Sequence, residues 1–141
     1  MRFMAIVKAT SDSEAGRLPS ERELTRMGTF NDDLVNAGVL LAAEGLHASA
    51  KGARITFGGP KPTVTDGPFT ETKELIAGFW ILQVKSREEA IEWIKRAPFE
   101  SGEQVEIRQV FEAADFGEAF APELRESEER MRAQSGMQEK L

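Results

Sequence analysis

The chain has no cysteine, a single histidine and only two tryptophans among its 141 residues. Without Cys it has no thiol nucleophile, no disulfide framework and no Cys-ligated zinc or iron–sulfur centre. One His would leave any transition-metal site dependent on carboxylates, and no spaced metal motif accompanies it, so no metal is expected. No apolar run approaches the ~18 residues that a membrane helix needs. The first residues, Met1 to Lys8, meet charge too soon for a signal peptide. Basic charge is also in deficit: Lys plus Arg is 18, Asp plus Glu is 24, and the net charge is −6. That sign repels phosphate backbones, so nucleic acid is not expected as a partner, and with no long apolar run neither is a membrane. The absence of thiols fits a reducing compartment, and the cytoplasm is the expected location. Gly58-Gly59-Pro60 lacks both the Gly-Lys-Ser/Thr ending and the dinucleotide glycine spacing. No Gly-x-Ser-x-Gly elbow occurs, and no cofactor box is present, so no cofactor is expected.

The length predicts one domain with an apolar core that needs no staple. Phe3 to Ala9 reads as a strand and Thr10 to Pro19 as a polar loop. Ser20-Glu21-Arg22-Glu23 is a capping box. It opens a helix with an apolar stripe of Met27, Phe30, Leu34 and Ala37, and Gly38 ends it. Val39 to Ala43 and Arg54 to Phe57 follow as strands, and then comes Val64-Thr65-Asp66-Gly67-Pro68-Phe69-Thr70-Glu71-Thr72-Lys73-Glu74. Asp, Gly and Pro in succession write a stiff corner, because each favours a turn for a different reason. Ala77 to Lys85 is the strongest strand, and its near-continuous apolar run predicts cover on both faces. Ser86-Arg87-Glu88-Glu89 is a second capping box, its helix lined by Ala90, Ile91, Ile94 and Ala97 and stopped by Pro98. Val105, Ile107, Val110 and Phe111 form a last strand.

Two strand–helix–strand units bracketing a hairpin-like insertion predict an α+β, ferredoxin-like antiparallel sheet with helices on one face. The other face would be apolar and open, which favours a homodimer joined sheet to sheet. We expect the core domain to span residues 1–112 and a polar helical extension to occupy 113–141. Pro122 suits that helix's first turn, Leu124 and Met131 are its large apolar residues, and a frayed tail begins at Gly136.

Several residues are candidates for chemistry. Asp66, a carboxylate in a fixed corner, suits a general base or a ligand contact, or else an Asx-type turn that only shapes the backbone. His47, at a strand end, is of the residue type best suited to proton transfer at neutral pH, although a lone His often serves only as a surface residue. Glu44 could orient that imidazole or hold a ligand. Phe69 is an apolar contact beside the corner, Trp80 is core or pocket wall, and Arg108 is an anion anchor or a cross-strand ion-pair partner. Trp93 reads as core, and Glu71, Lys73 and Glu74 as a solvated loop face.

The eleven residues Val64 to Glu74, with Ala77-Gly78-Phe79-Trp80-Ile81-Leu82 behind them, resemble the signature of the YCII-related family in its DGPF-domain branch. Glu44-Gly45-Leu46, Ser86-x-Glu88-Glu89-Ala90 and Glu106-Ile107-Arg108 resemble it too, and the likeness runs from about Met1 to Phe111. It implies ferredoxin-like protomers paired into a dimeric α+β barrel. In the YCII branch a His–Asp pair has been proposed as an active site, and some relatives are encoded near, or fused to, sigma factors. Here the first helix carries no His between Ser20 and Ala37, so His47 inherits no role by position, and Asp66 keeps only the motif position.

These readings predict a homodimer that binds a small polar-aromatic or anionic molecule between the helix-free sheet face and the Asp66 loop. Asp66, His47, Glu44, Phe69 and Trp80 would surround it. The alternatives are a cofactor-independent enzyme using Asp66 or His47 as acid–base, and an interaction module that contacts a regulatory protein such as a sigma factor through the acidic C-terminal helix.

Overall fold

A computed structural model describes residues 1–136. Strand β1 (Arg2–Lys8) leads through a four-residue helix α1 (Ser11–Glu14) to the long helix α2 (Glu21–Asn36) and strand β2 (Leu40–Gly45). Strands β3 (Ala53–Thr56) and β4 (Thr63–Asp66) pair as a hairpin. Strand β5 (Ile76–Gln83), helix α3 (Arg87–Ile94), strand β6 (Val105–Gln109) and helix α4 (Pro122–Ser135) complete the chain. β2, β5, β1 and β6 form one sheet in that spatial order, every neighbouring pair antiparallel. β1 and β2 therefore flank β5, and β5 and β6 flank β1, which is the expected ferredoxin-like arrangement with the β3–β4 hairpin inserted between β2 and β5.

The capping box of α2 forms as its sequence predicts. Glu23 N–H donates to Ser20 Oγ at 3.1 Å, and Ser20 N–H donates to a Glu23 carboxylate oxygen at 2.8 Å. Phe30 and Leu34 are buried against the sheet, whereas Ala37 is the exposed C-cap residue. Gly38 follows at φ +74°, the left-handed conformation that lets the chain turn into β2. The second box is only half made. Ser86 Oγ accepts from Glu89 N–H at 3.1 Å, but the Glu89 carboxylate accepts from Lys85 N–H instead of Ser86 N–H. Helix α3 ends at Ile94, ahead of Pro98, so Ala97 packs on the core from outside the helix.

The core lies between the helices and one sheet face: Phe3, Ala5, Phe30, Leu34, Val39, Trp80, Leu82, Val84 and Ala90. β5 alternates buried Gly78, Trp80 and Leu82 with half-buried Ala77, Phe79 and Ile81. The run is thus covered tightly on one face only, and Met4, Ile6, Phe79 and Ile81 line the other at partial burial.

Four local expectations are corrected or refined. The loop after β1 contains α1, capped by Thr10 Oγ1 accepting from Ser13 N–H at 3.1 Å; a segment this short has no apolar period to reveal it. Trp93 packs against the edge of the core but is only half-buried, with the Arg96 guanidinium 4.3 Å from its ring. Phe111 lies past the end of β6, 65% exposed, and stacks on Phe116 at 4.9 Å in the 3-10 segment Ala113–Ala119. On α4 the half-buried edge is polar: Glu128 and Arg132 face inward as an i,i+4 ion pair at 2.9 Å, while Leu124 and Met131 are exposed. Beyond Gly136, which closes α4 at φ +74°, the expected tail lies outside the described residues.

Candidate functional site

One end of the sheet, where β1 and β2 finish and β5 begins, carries the features that suit a ligand. A cavity of about 230 Å³ opens there between the sheet and α2. Its floor is Val7, Ala43, Gly78 and Trp80; Met27 and Asn31 of α2 and Phe99 beyond α3 close over it; Glu44 also lines it. Gly78 is required at the floor, because a Cβ there would come within 2.8 Å of the Glu44 carbonyl oxygen of β2. Trp80 is held on three sides. Its ring meets Phe30 edge-on at 5.6 Å and Phe99 edge-on at 6.0 Å, and its indole N–H donates to Asn31 Oδ1 at 2.8 Å. Aromatic pairs in this geometry favour a fixed ring over a mobile one. Glu44 pairs with Phe79 across β2 and β5, so its exposed side chain projects from the opposite sheet face to Ala43 and Trp80, and it is the Glu44 backbone that borders Gly78.

The Asp66 corner stands at the same end of the sheet, because it runs through a short 3-10 turn, Thr72–Glu74, straight into β5. Leu75 C=O accepts from Ala9 N–H at 2.9 Å and Ala77 C=O accepts from Leu46 N–H at 2.8 Å, so the ends of β1 and β2 are tied to it. The Gly67–Pro68 peptide is cis. The corner is held by contacts other than an Asx turn: Gly67 N–H donates to Gly52 C=O at 3.0 Å. Gly67 sits so close to Ser49 that a Cβ would lie 1.8 Å from the Ser49 carbonyl oxygen. Ser49 is the hub. Its Oγ accepts from Phe69 N–H at 3.0 Å and donates to the Glu14 carboxylate at 2.5 Å, while its N–H donates to the same carboxylate at 3.1 Å. Arg54 lies 3.8 Å from the Phe69 ring centroid and pairs with Glu71 at 3.5 Å, clamping the corner from the hairpin side.

The sequence-predicted residues separate into two groups. Trp80 and Glu44 both border the cavity, Trp80 as its wall and Glu44 through its backbone, its exposed side chain lying on the other sheet face. Asp66 closes β4 opposite Ala53, exposed and with no side-chain hydrogen bond among the described residues; His47 is likewise exposed and unbonded. Phe69 is half-buried under Arg54 and does not line the cavity. Arg108 projects from the edge strand β6, 72% exposed, beside Glu106 at 3.5 Å and on the opposite sheet face from the helices. The cavity itself lies on the helix-covered face, not on the helix-free one. Sequence reasoning passed over Asn31, Ser49 and Glu14. Asn31 had a signal: it sits four residues after Met27 and three before Leu34, a polar side chain on an apolar stripe.

The perturbed titrations lie elsewhere. The Ser20 backbone N–H, with the Arg17 guanidinium beside it, holds the Glu23 carboxyl below its ordinary range, and Glu23 in turn raises Arg17. Among the described residues, no group of three or more His, Cys, Asp or Glu side chains is placed to hold a metal ion. No helix among them is long and apolar enough to cross a membrane.

No curated protein matches the chain. A solved structure similar to it is 5-chloro-2-hydroxyhydroquinone dehydrochlorinase (TftG) from Burkholderia phenoliruptrix AC1100, in complex with 2,5-dihydroxybenzoquinone. It is 16% identical, with a TM-score of 0.40, and the match covers 79% of this chain and 96% of that one. The model of the YCII-related domain matches residues 1–114, a span that takes in the whole sheet, the Asp66 corner and the cavity, and the chain belongs to that family.

Proposed function

We propose that this chain is a small-molecule-binding protein of the DGPF-domain branch, working as a cytoplasmic homodimer, with its ligand in the cavity beneath α2. The cavity carries the reading. It is concave, mostly apolar and aromatic, and offers a few fixed polar groups, which is the usual constitution of a ligand site. At about 230 Å³ it falls below the ~300 Å³ at which drug-sized sites begin, so the ligand is small. The Ser49-centred clamp gives the Asp66 corner its part: it fixes the loop that feeds β5 into the cavity floor. In this reading residues 1–112 carry the site and 113–141 are an appendage. The half-buried apolar row Met4, Ile6, Phe79 and Ile81 supports sheet-to-sheet pairing, and light scattering at the dimer mass checks it.

The test is a thermal-shift screen against a metabolite library. A ligand at ~100 times its dissociation constant stabilises the native state by about 2.7 kcal/mol. Ala43→Phe, which fills the cavity, should abolish the shift, while Asp66→Asn and His47→Ala should keep it. A hit that survives Ala43→Phe and is lost in Asp66→Asn or His47→Ala would refute the cavity and favour the acid–base enzyme instead.

A second reading has its own observation. Phe111, Phe116, Leu124 and Met131 are each about half exposed or more in the segment that follows β6, as a surface that takes a protein partner would be. Deleting residues 113–141 should then remove capture of a regulatory partner such as a sigma factor and leave ligand binding intact.

A further inference from the structure

The cavity's polar groups are few enough to specify what they accept. Trp80 Nε1–H is a donor with no acceptor capacity, so the Asn31 atom it meets at 2.8 Å is the amide oxygen. That contact occupies Oδ1 and fixes the plane of the amide. The Asn31 NH₂ forms no hydrogen bond among the described residues, and Asn31 lines the cavity. Among the described residues, no other side chain in the lining is a strong donor once Trp80 is committed: Val7, Met27, Ala43 and Phe99 have none.

We infer that Asn31 is a specificity-determining residue that selects small neutral ring compounds bearing a hydrogen-bond acceptor, a carbonyl oxygen above all. This rests on the cavity being the ligand site. The aromatic and aliphatic lining takes the ring, the preoriented Asn31 NH₂ takes the oxygen, and the apolar wall, which cannot solvate a charge, disfavours a negatively charged ligand. Among the described residues, no Arg, Lys or His lines the cavity to receive an anion, and Arg108, the anion anchor expected from sequence, stands on the other sheet face. A site built to hydrogen-bond a ligand group discriminates strongly against an isostere lacking it, because its own polar group is then left unpaired.

The probes are acetophenone, ethylbenzene and benzoate, titrated by NMR with the Trp80 indole N–H and the Met27 methyl as reporters. Acetophenone should bind at least tenfold more tightly than ethylbenzene, and benzoate should bind more weakly than acetophenone. Asn31→Asp keeps an acceptor for the Trp80 indole but, ionised at pH 8, offers no donor. In that variant the Trp80 indole signal should persist while the preference for acetophenone over ethylbenzene disappears. Equal binding of the two probes by the unaltered protein overturns the role of Asn31 without any variant, and so does a preference that survives Asn31→Asp, while the cavity reading stands. Failure of all three probes to move either reporter overturns the cavity and the Asn31 assignment together.

Discussion

Replacing Ser49 with Ala removes one oxygen and tests whether the Asp66 corner is held from outside itself. The hydroxyl donates to the Glu14 carboxylate at 2.5 Å and accepts from the Phe69 amide at 3.0 Å. Hydrogen bonds to a charged group contribute about 1.5–3 kcal/mol, and a buried amide left without an acceptor costs about 1–3 kcal/mol. The site is only partly buried, so water recovers some of both, and the Glu14 carboxylate keeps its second bond from Ser49 N–H at 3.1 Å. We therefore expect a loss of about 2–3 kcal/mol against local opening of the corner. The loss should be local, because Phe69 and Ser49 lie outside the buried core cluster. Amide hydrogen exchange reads it directly. Phe69 N–H should exchange about 30-fold to 150-fold faster, given ~1.4 kcal/mol per tenfold, with core amides such as Leu82 unchanged. A double-mutant cycle with Glu14→Gln should show coupling of about 0.5–3 kcal/mol. Unchanged exchange at Phe69, or strict additivity with Glu14→Gln, would refute the clamp.

Gly67→Ala should open the same corner by a different route, since the new Cβ would collide with the Ser49 carbonyl; overpacking costs about 1–3 kcal/mol, and amide shifts confined to residues 46–75 are the expected readout. Leu34→Ala, at a fully buried core position, should cost about 2–5 kcal/mol in urea unfolding, whereas Val35→Ala, 53% exposed on the next position of α2, should stay within about 0.5 kcal/mol. Glu23 makes its contribution to the start of α2 as an anion. Its folded value lies below the unfolded one of about 4.3, so that contribution is complete above about pH 4.3 and is lost as pH falls through the folded value. By NMR titration its midpoint should lie below those of free surface glutamates, and Arg17→Ala should recover only part of the displacement, because the Ser20 N–H remains.

The fold was legible because its signals are local. Ser20 and Glu23 sit three residues apart, Phe30 and Leu34 share one stripe, and Gly38 meets the need for a positive φ, so each carries its instruction within one helical turn. The order of those units then leaves few topologies open. The helix α1 escaped notice because a four-residue segment has no hydrophobic period. The site was legible only in part. Gly67-Pro68 announced a rigid corner, but what holds it, Glu14 against Ser49, spans 35 residues, and no sequence pattern encodes that pairing. Charge and aromatic type directed attention to Asp66, His47, Phe69 and Arg108, all outside the cavity lining, while Asn31 drew none because an amide on a helix is ordinarily a solvent residue. Its place between Met27 and Leu34 was the clue. The apolar residues of α4 misled in the opposite way: Leu124 and Met131 face solvent, and the long Glu128–Arg132 pair takes the inward edge.

The most direct test of the cavity is chemical-shift mapping of the first ligand that a thermal-shift screen returns. The account predicts that the Trp80 indole N–H, the Asn31 side-chain amide and the Met27 methyl move together, with one dissociation constant, and that Ala43→Phe abolishes all three changes. Shifts confined to the Asp66 and His47 loops, or to α4, with the Trp80 indole N–H unmoved, would contradict it.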